Sequence, residues 1–352
     1  MMRLVIPVLA VALVVGLVLT GLAAWGGRLS PAPETAAGPS AETPPAVLGN
    51  VDAQATATAA PAAAPSPTPE STPTPEATAP PTTSPTPEGG TDAAMAKYQA
   101  IVQRYLGDLP GTFGVVIKDM KTGNTLRINA DRPFPTASLY KLGLMYEVLR
   151  EAKAGELNLN TKMDITERHM VESEFDEKLV AGMTVTIDRS LWFLITLSSN
   201  SAAMALHDYV SWPDVDTAVH EIGMTNTWIH GDPAAPTFGD WRDTLTSSTP
   251  EDMLTFFDKL YNGQILDKEN NDKMMWLLKN QQIIDRMAKK LPDDVVFPRK
   301  TGNLAGVINE VGIMMGPKTD LYVGVMSQDA DYESTTTALQ NLGLALYQAA
   351  NE

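Results

Sequence analysis

The sequence contains no cysteine among its 352 residues. This absence excludes disulfide bridges, a thiol nucleophile and a cysteine-ligated zinc ion. Histidine is also scarce, and no two of the four histidines form an HxH or HExxH pair. A histidine-based metal centre therefore has no support, and we expect neither a metal nor another cofactor. The histidines are His169, His207, His220 and His230.

Basic residues are outnumbered by acidic ones, 26 against 42, which gives a formal net charge of −16. A surface of this sign repels the phosphate backbone of DNA and RNA. We therefore expect no nucleic-acid partner.

A long hydrophobic run occupies the N-terminus, from Leu4 to Trp25, between Arg3 and Arg28. As a helix its 22 residues would rise about 33 Å, enough for a hydrocarbon core of about 30 Å. We interpret residues 1–28 as a transmembrane anchor, and a cleaved signal peptide is the alternative. Either predicts a cell-membrane or secreted protein whose remaining chain is extracellular or periplasmic, with the membrane as a partner through this helix if it is retained.

Residues 29–92 consist largely of Pro, Ala, Thr and Ser, with near-repeats such as SPTPESTPTPE. Because they lack apolar periodicity, we expect an extended, solvated linker. The folded domain is then residues 93–352, and we expect it to be a monomer.

The pattern of elements in this domain predicts an α+β fold. A helical stripe at 94–106 precedes two strand-like runs, FGVVIKDM and TLRIN, joined by a turn at 121–124. A helix-rich region spans about 138–290, and Thr249-Pro250 is a typical helix start, with Asp252 placed to close a capping box. Two further strand-like runs and a final helix follow. We expect an antiparallel sheet flanked by helices, an α/β sandwich, plus an all-helical subdomain.

The candidate nucleophile is Ser138, in the segment Ser138-Leu139-Tyr140-Lys141. This segment opens an apolar helix, on which residues i and i+3 share a face, so Lys141 can approach the Ser138 hydroxyl. A serine needs a nearby base, and a desolvated lysine beside another cation can supply one. For an isolated SxxK match, a serine helix cap with a surface lysine is the better explanation.

Two further segments accompany SxxK: Ser198-Ser199-Asn200, and Lys300-Thr301-Gly302 ahead of a strand. With flanks FPTASLYKL, LITLSSNSAAMAL and RKTGNLAGVINEVGI, the chain resembles the class A β-lactamases and related penicillin-binding serine hydrolases across residues 93–352. A second KTG, at Lys121, lies in a predicted hairpin turn and receives no role.

The resemblance implies a β-lactamase/transpeptidase-like fold and a role for each matched residue. Ser138 would attack a β-lactam or acyl carbonyl, with Lys141 as candidate base, and Ser198 would pass a proton to the leaving nitrogen. The remaining residues would bind substrate: Asn200 its amide, Lys300 and Thr301 its carboxylate, and the backbone N–H groups of Ser138 and Asn303 the oxyanion, with Gly302 completing the motif.

The sequence departs from the family pattern in three places. The family's E-P-x-L-N motif, whose glutamate activates the deacylating water, is absent, and Asp232-Pro233 stands in its place. We hypothesise that Asp232 is the deacylation base, with an ordinary Asp-Pro turn as the alternative. Ser199 replaces an aspartate, and the strand after KTG carries no arginine for the substrate carboxylate.

Three functions follow from these observations. The first is an exported hydrolase that cleaves β-lactams through an acyl-enzyme on Ser138. The second applies the same chemistry to cell-wall-derived peptides or esters, with β-lactams as slow acylators. The third is a tethered binding module without turnover.

Overall fold

The computed structural model describes residues 93–171, 178–229 and 246–352. The predicted anchor (1–28) and linker (29–92) lie outside the described residues, and the domain boundaries stay a prediction. Among the described residues, no helix combines the length and apolarity that a bilayer crossing requires.

Eight α-helices and nine β-strands occur in this part of the chain. The helices are α1 (Ala96–Leu106), α2 (Lys141–Ala154), α3 (Ile187–Thr196), α4 (Asn200–Leu206), α5 (Trp212–Glu221), α6 (Pro250–Tyr261), α7 (Lys268–Lys279) and α8 (Tyr332–Asn351). The strands are β1 (Thr112–Asp119), β2 (Thr125–Ile128), β3 (Phe134–Pro135), β4 (Lys162–Asp164), β5 (Thr184–Thr186), β6 (Ser247–Ser248), β7 (Arg299–Leu304), β8 (Val307–Met314) and β9 (Leu321–Gln328).

The main sheet has five antiparallel strands in the order β2-β1-β9-β8-β7. Successive side chains of a strand point to opposite faces, and the burial follows that rule. Val115 and Ile117 of β1 lie in the cluster that includes α1 and α8, whereas Val116 between them lies in the cluster built by α2 to α7. The sheet is therefore covered on both faces, and the predicted α+β class is confirmed.

Helix α2 is the centre of the all-helical part. All nine residues from Lys141 to Leu149 are buried, and α2 packs against α3, α4, α5 and α7. A helix that is buried on all sides belongs to the interior of a domain. The segment directly before α2, which contains Ser138, is consequently held by the core rather than by a surface loop.

Two local predictions need correction. Thr249 does cap α6, since its hydroxyl accepts from Asp252 N, but the Asp252 carboxylate closes no capping box. It instead accepts from Asn226 N and the Thr227 hydroxyl, each at 2.8 Å. The Lys300-Thr301-Gly302 segment lies inside β7 rather than ahead of a strand, because β7 and β8 form one hairpin with the turn at 305–306.

Candidate active site

Ser138 lies in a 3-10 turn, Ala137–Tyr140, that leads directly into α2 at Lys141. The sequence predicted one continuous helix from Ser138, and the structure replaces its first turn with this tighter one. Ala137 has a φ of +47°, a left-handed conformation that costs a non-glycine residue energy. Surrounding contacts must hold such a conformation, and Ser138 is thereby left half-buried at the head of the helix.

Lys141 is fully buried one turn after Ser138. Its Nζ donates to the Ser198 carbonyl oxygen and, at 2.7 Å, to Asn200 Oδ1. The SxxK and SxN segments, far apart in sequence, therefore meet at one ammonium group, as the sequence analysis required.

Ser198 lies between α3 and α4 with a φ of +57° and is 4% exposed. Its hydroxyl accepts a 2.8 Å hydrogen bond from Lys300 Nζ. The next residue, Ser199, is the N-cap of α4 and accepts from Ala202 N at 3.0 Å. Ser199, which stands where the family has aspartate, thus keeps a capping function, because serine and aspartate are both good N-caps.

Lys300 is fully buried on β7 and completes the junction of the three segments. Burial, followed by the positive charges of Lys141, Arg286 and Arg299, lowers the pKa of Lys300 well below its ordinary value of 10.5. An anion placed beside Lys300 would offset these repulsions. The site is therefore electropositive, although the whole chain carries a net negative charge.

Gly302 permits a close approach between β7 and the nucleophile turn. A Cβ at this position would lie 2.6 Å from the Thr136 carbonyl oxygen and 3.3 Å from Ser138 N. Only glycine fits so near another backbone. This contact places β7 beside the Ser138 backbone, and the oxyanion hole of Ser138 and Asn303 stays a prediction.

Arg286 is a site residue that the sequence analysis missed. It is fully buried, and one guanidinium nitrogen donates to the carbonyl oxygens of Gly302 (2.9 Å) and Asn309 (2.8 Å). The other terminal nitrogen donates to Asn303 Oδ1 at 3.1 Å. Arg286 therefore supports β7 from the interior of the fold, and no motif marks it in the sequence.

Asn309 is a second missed residue. Its Nδ2 donates to the carbonyl oxygens of Pro135 (2.8 Å) and Thr136 (3.1 Å), and its Oδ1 accepts from Ser327 N at 2.9 Å. Asn309 is fully buried and joins the centre of the sheet to the residues before Ser138. A signal was present, because Asn309 and Glu310 are a polar pair inside the apolar strand VINEVGIMM, and buried polar groups require partners.

Glu310 pairs with Arg299 behind β7. Its Oε1 lies 3.1 Å from Arg299 Nε, an ion pair whose angles fall short of a hydrogen bond, and its Oε2 accepts from Met287 N at 2.7 Å. Burial raises the pKa of Glu310, while Arg299 and Arg286 oppose the shift. Arg299 is itself 5% exposed, so its guanidinium lies inside the fold rather than at the surface.

The candidate deacylation base, Asp232, lies outside the described residues, so its role stays a hypothesis. The residues flanking 230–245 are described and pair with each other, since Trp228 and Ser247 exchange two backbone hydrogen bonds. Thr246 O, at the return, accepts from Thr136 N at 3.0 Å. Thr246, the first described residue after this segment, therefore lies beside the nucleophile turn.

The site combines the hydroxyl groups of Ser138 and Ser198, the buried Lys141 and Lys300, and the backbone of the edge strand β7. These are the parts that acyl transfer requires: a nucleophile, a base, a proton donor and donors for an oxyanion. No cluster of three or more metal-ligating side chains occurs within residues 93–171, 178–229 and 246–352. The groups around Ser138 thus indicate serine-based acyl transfer.

Comparison with known proteins points the same way. A model of the beta-lactamase enzyme family matches residues 94–350. A β-lactamase from Streptomyces lavendulae is 29% identical over 246 residues, covering 67% of this chain and 78% of the relative. The β-lactamase CARB-3 of Pseudomonas aeruginosa is 28% identical over 209 residues, covering 57% and 71%.

Solved structures agree in fold. The crystal structure of a β-lactamase from Sphaerobacter thermophilus superposes with a TM-score of 0.65 at 26% identity and covers 73% of this chain and 97% of that one. The structure of PBP-A gives 0.63 at 18% identity, covering 72% and 95%. The second similarity concerns the fold alone.

Proposed function

The chain belongs to the β-lactamase enzyme family, and from that premise we propose that it is an exported serine hydrolase that opens β-lactam rings through an acyl-enzyme on Ser138. One observation carries the proposal. Lys141 donates to the Ser198 carbonyl and to Asn200, and Lys300 donates to the Ser198 hydroxyl, immediately beside the Ser138 turn.

In the proposed acylation, Ser138 Oγ attacks the carbonyl carbon of the substrate. Lys141 is the candidate base. In its neutral form, the amine can donate its two N–H groups to Ser198 O and Asn200 Oδ1 and use its lone pair to accept a proton. The Ser138 proton passes to this amine. As the C–N bond breaks, the Ser198 hydroxyl gives its proton to the departing nitrogen and takes a replacement from Lys300 Nζ, which donates to it. The Ser138 and Asn303 N–H groups stabilise the oxyanion by about 3 kcal/mol per donor.

Recognition of the substrate would use the positive charges of Lys300, Arg286 and Arg299, which lie on or next to β7. Lys300 and Thr301 would hold a substrate carboxylate, while Arg286 fixes the Gly302 carbonyl and the Asn303 side chain. Because β7 is an edge strand of the sheet, an extended substrate could lie along it and use its backbone groups. Asn200 would bind the substrate amide from the other side.

The direct experiment mixes the purified full-length protein with a chromogenic cephalosporin and follows both absorbance and intact mass. Steady hydrolysis with a transient mass adduct on Ser138 is the expected result. Ser138→Ala is the matched control and must abolish both signals. If no adduct forms with the wild-type protein, the proposal fails and a binding module remains.

A second candidate is the same acylation on cell-wall-derived peptides or esters, with slow release of β-lactams. Two observations favour it: the family's deacylation motif is absent from the sequence, and Ser199 stands in place of an aspartate. A stoichiometric absorbance burst and a stable adduct, in place of steady turnover, would identify this activity.

The deacylation step is tested separately with Asp232→Asn. We expect the acyl-enzyme to accumulate, because the water would lose its base. Unchanged deacylation would remove Asp232 from the mechanism. Asp240→Asn is a matched control in the same segment.

We also propose that the catalytic domain acts outside the cytoplasm as a monomer, either anchored through residues 1–28 or secreted after their cleavage. The apolar run and the Pro-rich segment support this proposal. Protease treatment of intact cells, with N-terminal sequencing of the mature chain, distinguishes the two forms. A protein protected in the cytoplasm would contradict both.

A further inference from the structure

A pocket of about 420 Å³ lies beside the active site and takes part in none of the steps above. Leu197, Ile283 and Ile284 provide apolar lining, and Lys178, Asp285 and Lys289 provide charged lining. Ile284 is 53% exposed, so its side chain is accessible from solvent.

The position of the pocket follows from the chain on both sides. Leu197 immediately precedes Ser198, and Asp285 immediately precedes Arg286. Gln282 N donates to Thr196 O at 2.9 Å, which fixes one wall against the other. Two lining residues, Leu197 and Asp285, are therefore each adjacent in the chain to a residue of the catalytic centre.

The charge in the pocket is positive. Lys178 and Lys289 are exposed, and within the described ranges no hydrogen bond or ion pair engages either ammonium group. Among the described residues of the lining, Asp285 carries the opposing charge, and its Oδ2 lies 3.7 Å from Arg286 Nε, which offsets it. An apolar floor beneath two unengaged ammonium groups suits an apolar arm that ends in a carboxylate.

We propose that this pocket binds the leaving-group side of the substrate and selects an apolar arm with a terminal carboxylate. The inference rests on the proposed function, in which Ser198 protonates the departing nitrogen. The leaving-group half of the substrate must then lie on the Ser198 side of Ser138, where Leu197 begins the pocket lining.

The test uses the full-length protein and three β-lactams that share one acyl side. Their leaving-group arms are hydrocarbon chains of equal length that end in a carboxylate, an amide or a quaternary ammonium. We expect kcat/KM for acylation to fall in that order, by about two- to fivefold at each step, the size of an exposed charge interaction. Ile284→Asn should lower kcat/KM for all three arms alike.

Lys289→Glu should reverse the order of the carboxylate and ammonium arms. Its matched control is Lys290→Glu, which makes the same change of charge one residue away, at an exposed lysine that bonds Asn341 instead. Equal acylation rates for all three arms would overturn this inference and leave the proposed function standing. Identical effects of the two lysine variants would do the same, because they would indicate only a long-range electrostatic effect. If no arm acylates the protein, the proposed function fails, and the inference falls with it.

Discussion

Asn309 offers the sharpest test of how the fold positions the nucleophile. Asn309→Ala removes three hydrogen bonds at a fully buried position: two to the Pro135 and Thr136 carbonyls and one from Ser327 N. At about 1 kcal/mol net for each bond, the variant should lose about 3 kcal/mol of unfolding free energy. Urea unfolding of the full-length protein measures this loss.

The same substitution should slow acylation. Thr136 is two residues before Ser138, and Ala137 between them holds a strained φ of +47° that requires support. Complete loss of an oxyanion donor costs about 10² to 10³ in rate, so partial displacement of Ser138 N should cost roughly tenfold to a hundredfold. Stopped-flow acylation measures this rate.

The matched control is Asn271→Ala. Asn271 is also a buried asparagine, and its Nδ2 donates to Leu260 O at 3.0 Å, in the helical part of the fold. It should lose stability, by about 1 kcal/mol, with no change in the acylation rate. If Asn309→Ala acylates at the wild-type rate, or if Asn271→Ala slows acylation equally, the argument for a positioning role is refuted.

Three further predictions concern protonation, packing and capping. In Ser138→Gly, binding of a carboxylated β-lactam should be accompanied by proton uptake. The pKa of Lys300 is lowered in the free protein, and a bound anion raises it, so proton uptake should occur at pH values between the lowered pKa and the ordinary 10.5. Calorimetry in buffers of different ionisation enthalpy measures the number of protons taken up. Zero uptake across that pH range would contradict the lowered pKa. Gly302→Ala places a Cβ 2.6 Å from Thr136 O, so β7 must shift. The free energy of unfolding in urea should fall by about 1–3 kcal/mol, and acylation should slow. If both quantities keep their wild-type values, the close contact is unimportant. Thr249→Ala removes the cap of α6 and should lower the unfolding free energy by about 1 kcal/mol while acylation is unchanged, and a fall in acylation rate would link this cap to the site.

Much of the fold was predictable because local patterns and core burial agree. The strands FGVVIKDM and TLRIN and the helix after Thr249-Pro250 are found within a residue or two of their predicted bounds. The alternation of β1 side chains between the two faces of the sheet follows from the period of a strand. The bounds failed at Ser138 and at Lys300, where tertiary contacts override propensity: a 3-10 turn begins the nucleophile helix, and KTG joins the β7–β8 hairpin.

The sequence by itself determined which chemical groups were available and in what order: a serine and a lysine one helical turn apart, a second serine, a second lysine and a glycine. Short motifs can specify this much because helical spacing and close backbone approach are local properties. Only the tertiary structure decided that Arg286 and Asn309 support the site, since their partners, Gly302 and Thr136, are distant in the chain. Buried polar side chains take whichever partners the fold brings to them, and no local pattern encodes that choice.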